Sequence, residues 1–437
     1  MQVVKSFCDH DQVLWYLARA ADKCGDKAMA EKAATAVVKL APDFEPALEL
    51  LLRVTGPRQY SPAPVLCSVG SGAVNTVNSY ADEPGPVKFH LDGQGWGRGE
   101  SANQASSIAT MARAPRRSGP DRCEMELRRE IGRFNKVVVW GLKTSSHTHA
   151  HIHRHFFDAL TKVGAKAAFV DDSAENVDVL ERNDLIIAVD VASSHLPIAE
   201  GVYYCLHNCP DDIHRRIAPA RNIRLQTYTN LAEPASGGAE KWDEVTFFDS
   251  ARRTLFQPWA TDLLASEFEE PILHRSGGIV FWVGSIWDDG LGRGNVNEIQ
   301  TLKDVLEARD IRFVHLRSIS DSLNVRYVRS SLIAPAIVGR WQMEHNYLPC
   351  RMWKNISYGQ LGVSNVRKFD EVFDDCTVKG RSIEEIIDNT LSLPFSTYRD
   401  MICRQQEIVK SRHTYVNRLL NIIRAFESIE NRSRAFV

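Results

Sequence analysis

The chain has 437 residues with 44% apolar content, enough to bury two sizeable cores plus an appendage. A formal charge of −2 argues against a nucleic-acid binder held by bulk charge, and no apolar run reaches the roughly 18 residues that suggest a membrane span. The start, Met1-Gln-Val-Val-Lys-Ser-Phe-Cys8, lacks a basic region followed by an apolar core, and the nine scattered cysteines read as reduced thiols. The expected location is cytoplasmic, with peripheral membrane contact left open.

Residues 1–55 read as a helical segment. Leu14, Leu17, Ala18 and Ala21 share a face before Gly25-Asp26, and Ala34, Val37, Val38 and Ala41 continue on a second helix that Pro42 breaks. Trp15, Leu17, Ala18, Gly25, Ala30 and Pro42 loosely resemble one tetratricopeptide unit. A single unit cannot bury its own face, so residues 10–53 are expected to cap the main body or to mediate protein contact or oligomerisation. Residues 56–130 read as an irregular linker, because turn signals such as Gly70-Ser71-Gly72 and Pro84-Gly85-Pro86 recur without apolar periodicity. Proteolysis is expected there first. Gly93-Gln-Gly95-Trp-Gly97-Arg-Gly99 is no dinucleotide fingerprint, since Arg98 stands where its third glycine belongs.

From residue 134 short apolar runs alternate with helical patterns. Lys136–Trp140, Ala165–Val170, Leu185–Val189 and Val202–Leu206 read as strands of a doubly wound sheet, with Ile223–Tyr228 and Val245–Phe248 adding more. A helix over His147–Val163 buries Ile152, Phe156, Leu160 and Val163. Ligands of such sheets bind outside the carboxyl ends of the strands, where Ser145-Ser146-His147, Asp190 and His207-Asn208 collect. The connector Leu255-Phe-Gln-Pro-Trp259 reads as a hinge. A second unit follows: strand and glycine turn at Gly278–Gly284, helix at Val296–Ala308, strand at Arg312–Leu316 ending in Arg317, and strands at Leu332–Val338 and Leu361–Val363. The chain is helical from Ser382 onward. The expected fold class is therefore α/β: two Rossmann-like doubly wound domains facing a cleft, at 131–258 and 259–413, preceded by a short helical segment. A last helix over 414–437 shows Leu419, Ile422, Ile423 and Phe426 on one face, which needs a buried partner.

Between the last two strands, Pro349 opens a helix and Gly359 closes it. Arg351, Lys354 and Asn355 share a face there. Two cations in the first turns oppose the helix dipole unless an anion docks, and a helix N-terminus is itself an anion site. This reads as a diphosphate cradle of the kind a nucleotide-sugar needs, with Gly284 letting backbone approach the diphosphate.

The two-domain order, the Val283-Gly284 turn, Cys350-Arg-Met-Trp-Lys-Asn-Ile-Ser-Tyr-Gly359 and His413-Thr-Tyr-Val-Asn-Arg418 resemble the GT-B glycosyltransferases, closest to the CgeB-like group related to families 1 and 4. In that group an Arg-x-Phe-Glu-x-x-x-x-Gly helix contacts the donor nucleotide. Arg351 and Gly359 match, and Trp353 stands for the Phe. Lys354 occupies the position of the Glu that holds the donor ribose, which turns this position toward phosphate or leaves the ribose to another residue. The resemblance implies a hexosyltransferase-type enzyme without metal or cofactor, moving a sugar from a nucleotide-sugar to a glycan, lipid or protein acceptor. Donor-binding residues would be Gly284, Ser285, Arg317, Arg351, Lys354, Asn355, Ser357, Tyr358 and Gly359. The acceptor would bind the first domain, and the last helix would cross back to it. A non-catalytic nucleotide- or sugar-binding scaffold and an epimerase on the same fold are the alternatives.

The run His147-Thr-His149-Ala-His151-Ile-His153-Arg-His155 has ligand-like spacing, but no nearby carboxylate or cysteine completes a set, and Cys205 and Cys209 lack a second pair. No metal is expected. His147, at the strand-to-helix turn, is the preferred general base, with Asp190 and His207 as rivals.

Overall fold

The computed structural model describes residues 10–56, 121–145, 147–227, 239–272, 277–288 and 290–435, with backbone alone at 10–13 and 433–435. The turn signals and glycine run expected between 57 and 120 lie outside the described residues.

The chain opens with three helices, α1 His10–Lys23, α2 Lys27–Leu40 and α3 Glu45–Thr55. The third follows the break at Pro42 and starts with Pro46 in its first turn, where a missing N–H costs nothing. The helices bury Ala18, Ala34, Val38, Leu48 and Leu51 together with Phe281, Val314 and Tyr327 of the chain's second half. Glu31 pairs with Arg312 at 2.5 Å, and the Tyr327 hydroxyl donates to the Pro42 carbonyl. The segment thus caps the body with its inner face.

α4, Arg122–Glu130, falls within the stretch read as linker. Its Leu127 is fully buried in the core of the first sheet, so this part of the expected linker belongs to the packed body. Then come β1 Val137–Trp140, α5 Thr148–Lys162, β2 Ala167–Val170, β3 Leu185–Val189, β4 Tyr203–His207, α6 Asp211–Arg215, β5 Asn222–Gln226, β6 Ala239–Lys241, β7 Phe247–Asp249 and β8 Thr254–Phe256. They form one eight-stranded sheet of order β2-β1-β3-β4-β5-β8-β7-β6. Pairing is parallel from β2 through β8 and antiparallel at β8–β7 and β7–β6. Strands β1, β3 and β4 are buried at every residue, as continuous apolar runs covered on both faces must be. Val137, Val139, Ile187 and Cys205 face one core; Val138, Trp140, Ile186 and Tyr204 face the other. Leu255 and Phe256, the first two residues of the expected hinge, belong to β8, which continues the parallel ladder from β5.

The second half contains β9 Ile279–Val283, α7 Val296–Glu307, β10 Arg312–Leu316, α8 Asp321–Ser330, α9 Arg340–Glu344, α10 Cys350–Ser357, α11 Lys368–Val372, α12 Ile383–Ser392, α13 Phe395–Arg412 and α14 Tyr415–Ala435. Among the described residues of this half only β9 and β10 form a ladder, in parallel. Leu332–Val338 lies beside β9 and Leu361–Val363 beside that, yet each makes isolated bonds: Leu332 N to Ile279 O at 2.8 Å, and Ala336 N to Val363 O at 2.7 Å. Side chains take the ladder's partners. Ser331 Oγ accepts from Phe281 N, Asn355 donates to Ala334 O, Asn365 bonds both main-chain groups of Val338, and Pro335 has no N–H to give.

α14 lays Leu419, Ile422, Ile423 and Phe426 into the core of the first sheet. Phe426 meets Tyr203 edge-on at 5.1 Å, and Glu430 accepts from Tyr203 and Arg133. Thr261 bridges Thr414 in parallel, so the chain's two passages between halves run side by side. The fold is mixed α/β, dominated by a large, mostly parallel sheet. Among the described residues no helix is long and apolar enough to cross a membrane.

Candidate functional site

β9 ends at Val283, and Gly284 turns the chain with φ +119. A Cβ there would lie 2.7 Å from Arg351 Nη2, so only glycine lets the guanidinium settle on the strand end. Arg351 comes from the first turn of α10, which Pro349 caps. Its guanidinium lies 3.8 Å over the Trp282 ring and donates to the Val283 carbonyl. No carboxylate among the described residues pairs with it, and burial pushes its pKa down to about 10. A half-buried cation without a counter-charge is costly, and a docking anion would offset that cost. His315 Nε2 sits 2.7 Å from Gly284 O, and Arg317 is exposed past β10. Ser285 Oγ lies 3.4 Å from Thr148 Oγ1, so the turn after β9 meets the start of α5.

Lys354 is not a second free cation. Its Nζ lies 2.9 Å from Asp262, which also accepts from Tyr358 at 2.5 Å. Burial would raise the Asp262 pKa, but Lys354, His155 and these hydrogen bonds outweigh it and hold the carboxyl well below the usual range. Ser357 Oγ and Thr261 Oγ1 are 2.6 Å apart beneath this pair. Asn355 turns inward to Ala334, and Gly359 (φ +90) closes α10 where a Cβ would lie 2.3 Å from Glu270 O. Of the expected donor residues, Gly284, Ser285 and Arg351 therefore share one site, with Arg317 close enough to influence His315. Lys354 and Tyr358 serve Asp262, while Asn355, Ser357 and Gly359 fix the helix.

The five histidines of α5 and its cap divide by helical spacing. His147 is the exposed N-cap, its Nδ1 accepting from His149 N at 3.2 Å. His149 and His153 turn toward His207 at the end of β4, with the His149 and His207 rings 5.5 Å apart and His207 5.0 Å from Trp259. Both ring nitrogens of His207 are buried without a partner among the described residues. Burial pushes the pKa of His207 down to about 3 and those of His149 and His153 to about 4. His207 is thus a neutral, sealed imidazole, whereas His147 is accessible. Asp190 is exposed beyond β3, beside Cys209. His151 and His155 turn toward Lys354, and burial brings His155 to about 3.

His155 was read only as part of the histidine run; its neighbours Asp262 and Asp321 went unnoticed in the sequence, because they come from distant segments with no shared spacing. Among the described residues only these three bring potential metal-ligand atoms within 4.8 Å of one another. The Lys354 ammonium already occupies Asp262, so a metal ion there would meet a like charge. Compared with known proteins, the chain matches no family model and no curated protein.

Proposed function

We propose that the chain is a GT-B-type glycosyltransferase whose two α/β halves face each other across a cleft, with a nucleotide-sugar held mainly by the second half. The observation that carries this reading is Arg351: a guanidinium with no carboxylate partner among the described residues, seated on a glycine turn at the carboxyl end of a parallel strand. Such a place suits a diphosphate. The bond from the anomeric carbon to the diphosphate oxygen breaks, and the charge left on the nucleoside diphosphate is met by Arg351 and by free N–H groups at the start of α10. The acceptor hydroxyl forms the new bond to that carbon and passes its proton to an accessible imidazole. His147 is the base this reading selects, since His207 is sealed and Asp190 lies beyond β3.

The Lys354–Asp262 pair favours a second reading, a non-catalytic nucleotide-binding scaffold. The position that would hold the ribose is spent inside the protein. Incubation with a panel of nucleotide-sugars, with and without sugar acceptors, separates the readings. Transfer releases nucleoside diphosphate in an acceptor-dependent manner and survives chelation. A scaffold binds without release, and an epimerase changes the sugar without an acceptor.

A further inference from the structure

The loops after β2, β3 and β4 line an open cavity of about 500 Å³ at the surface, which shares no residue with the Arg351 site. Its size is typical of small-molecule sites. Leu196 and Ile213 belong to an apolar wall; Ser193, His195, Asp212 and Arg216 supply polar groups. Neither Asp212 nor Arg216 forms an ion pair among the described residues, and their opposite charges balance across the lining. Such a lining does not call for a charged ligand. It offers donors, acceptors and an apolar patch, which together suit a neutral molecule with many hydroxyls.

The turn that presents His195 is anchored on one carboxylate. Asp172 accepts from Trp140 Nε1 at 2.9 Å, Ser194 N at 3.1 Å and His195 N at 2.9 Å. Its Oδ2 also lies 3.7 Å from His195 Nδ1. At that distance the carboxylate attracts the Nδ1 edge of the ring without bonding it. Trp140 ends β1, so the anchor ties this loop to the centre of the sheet and keeps the imidazole at the cavity wall.

We infer that this cavity is a saccharide-binding site in which His195 hydrogen-bonds a sugar hydroxyl and Asp212 and Arg216 hold neighbouring hydroxyls. Its affinity for sugar does not depend on the transfer chemistry proposed above. The test is ligand-observed NMR of the full chain with glucose, galactose, mannose and N-acetylglucosamine at millimolar concentration, and with inorganic phosphate as the anionic control. The variants are His195→Ala, Arg216→Ala and Arg351→Ala. His195 and Arg216 are both solvent-facing, so their replacement leaves the core intact. At least one sugar is expected to bind, each cavity variant to weaken it about tenfold, as a lost hydrogen bond does, and Arg351→Ala to leave it unchanged. Absence of sugar binding, binding indifferent to both cavity variants, or a cavity that prefers phosphate would overturn the inference. Failure of the parent chain to bind UDP or GDP, added to the same samples, would count against the proposed function alone.

Discussion

Acid should unfold this protein earlier than its carboxylates alone would suggest. His153, His155 and His207 are only 3%, 5% and 4% exposed, and burial lowers their pKa values to about 4, 3 and 3. In the unfolded chain each titrates near 6.5. Below that pH the unfolded state binds protons that the folded state refuses, so stability is fully present above 6.5 and drains away as pH falls toward the folded values. At pH 5 each group lies about 1.5 units below its unfolded pKa, which amounts to about 2 kcal/mol apiece, or about 6 kcal/mol together as an upper figure. That is comparable with the whole stability of an ordinary domain, about 5–15 kcal/mol. Asp262 works elsewhere: its depressed carboxyl contributes above the unfolded value of about 3.9 and is lost only below it, so the interval from pH 6.5 to 4 isolates the histidines. Urea midpoints measured from pH 7.5 to 5 should fall steeply. His207→Leu removes two buried unpaired nitrogens and should raise stability, by about 2 kcal/mol more at pH 5 than at pH 7. A midpoint flat across this interval, or a leucine variant with the parent's slope, would refute the reasoning.

Lys354→Met leaves Asp262 buried with only hydrogen bonds for company and should cost about 3 kcal/mol in urea denaturation, most of it restored by Asp262→Leu in the same chain. Equal losses in the single and double variants would contradict that coupling. Gly359→Ala forces a side chain into a left-handed conformation against the Glu270 carbonyl and should cost about 1–3 kcal/mol; an unchanged melting temperature would remove the close approach from the account. Truncation before Thr414 uncovers the first sheet by losing Tyr415, Leu419, Ile422, Ile423 and Phe426, each worth about 1.5–3 kcal/mol when buried. The shortened protein should fail to fold its first half, which hydrogen exchange of β1 and β3 would reveal. Native-like protection there would make the helix dispensable.

Long strands announce themselves. Val137–Trp140, Leu185–Val189 and Ile279–Val283 are apolar, β-branched-rich runs of strand length, Arg312–Leu316 alternates apolar residues with Arg312 and His315, and all four are strands. The helix between Pro349 and Gly359 was equally plain, because both ends carry residues with one conformational use. The sheet's far edge was harder to read. β6 is the three residues Ala239-Glu-Lys241, with one alanine too small to mark a buried face, and β8 was hidden in a stretch that looks like a connector. Leu332–Val338 reads as a strand, but Ser331, Asn355 and Asn365 intercept its hydrogen bonds, and no local pattern foretells that competition. The site divides in the same way. Arg351 was legible as a cation at a helix start. The partnership of Lys354 with Asp262 was not, because it joins segments whose proximity only the fold creates.

The most direct test of the central claim is calorimetric titration of UDP and GDP into the full chain and into Arg351→Ala. The account expects one of these nucleotides to bind, and the variant to lose about 1.5–3 kcal/mol of affinity, the worth of a charge-assisted hydrogen bond to an anion. A folded Arg351→Ala protein with unchanged affinity, or a parent chain that binds neither nucleotide, would contradict it.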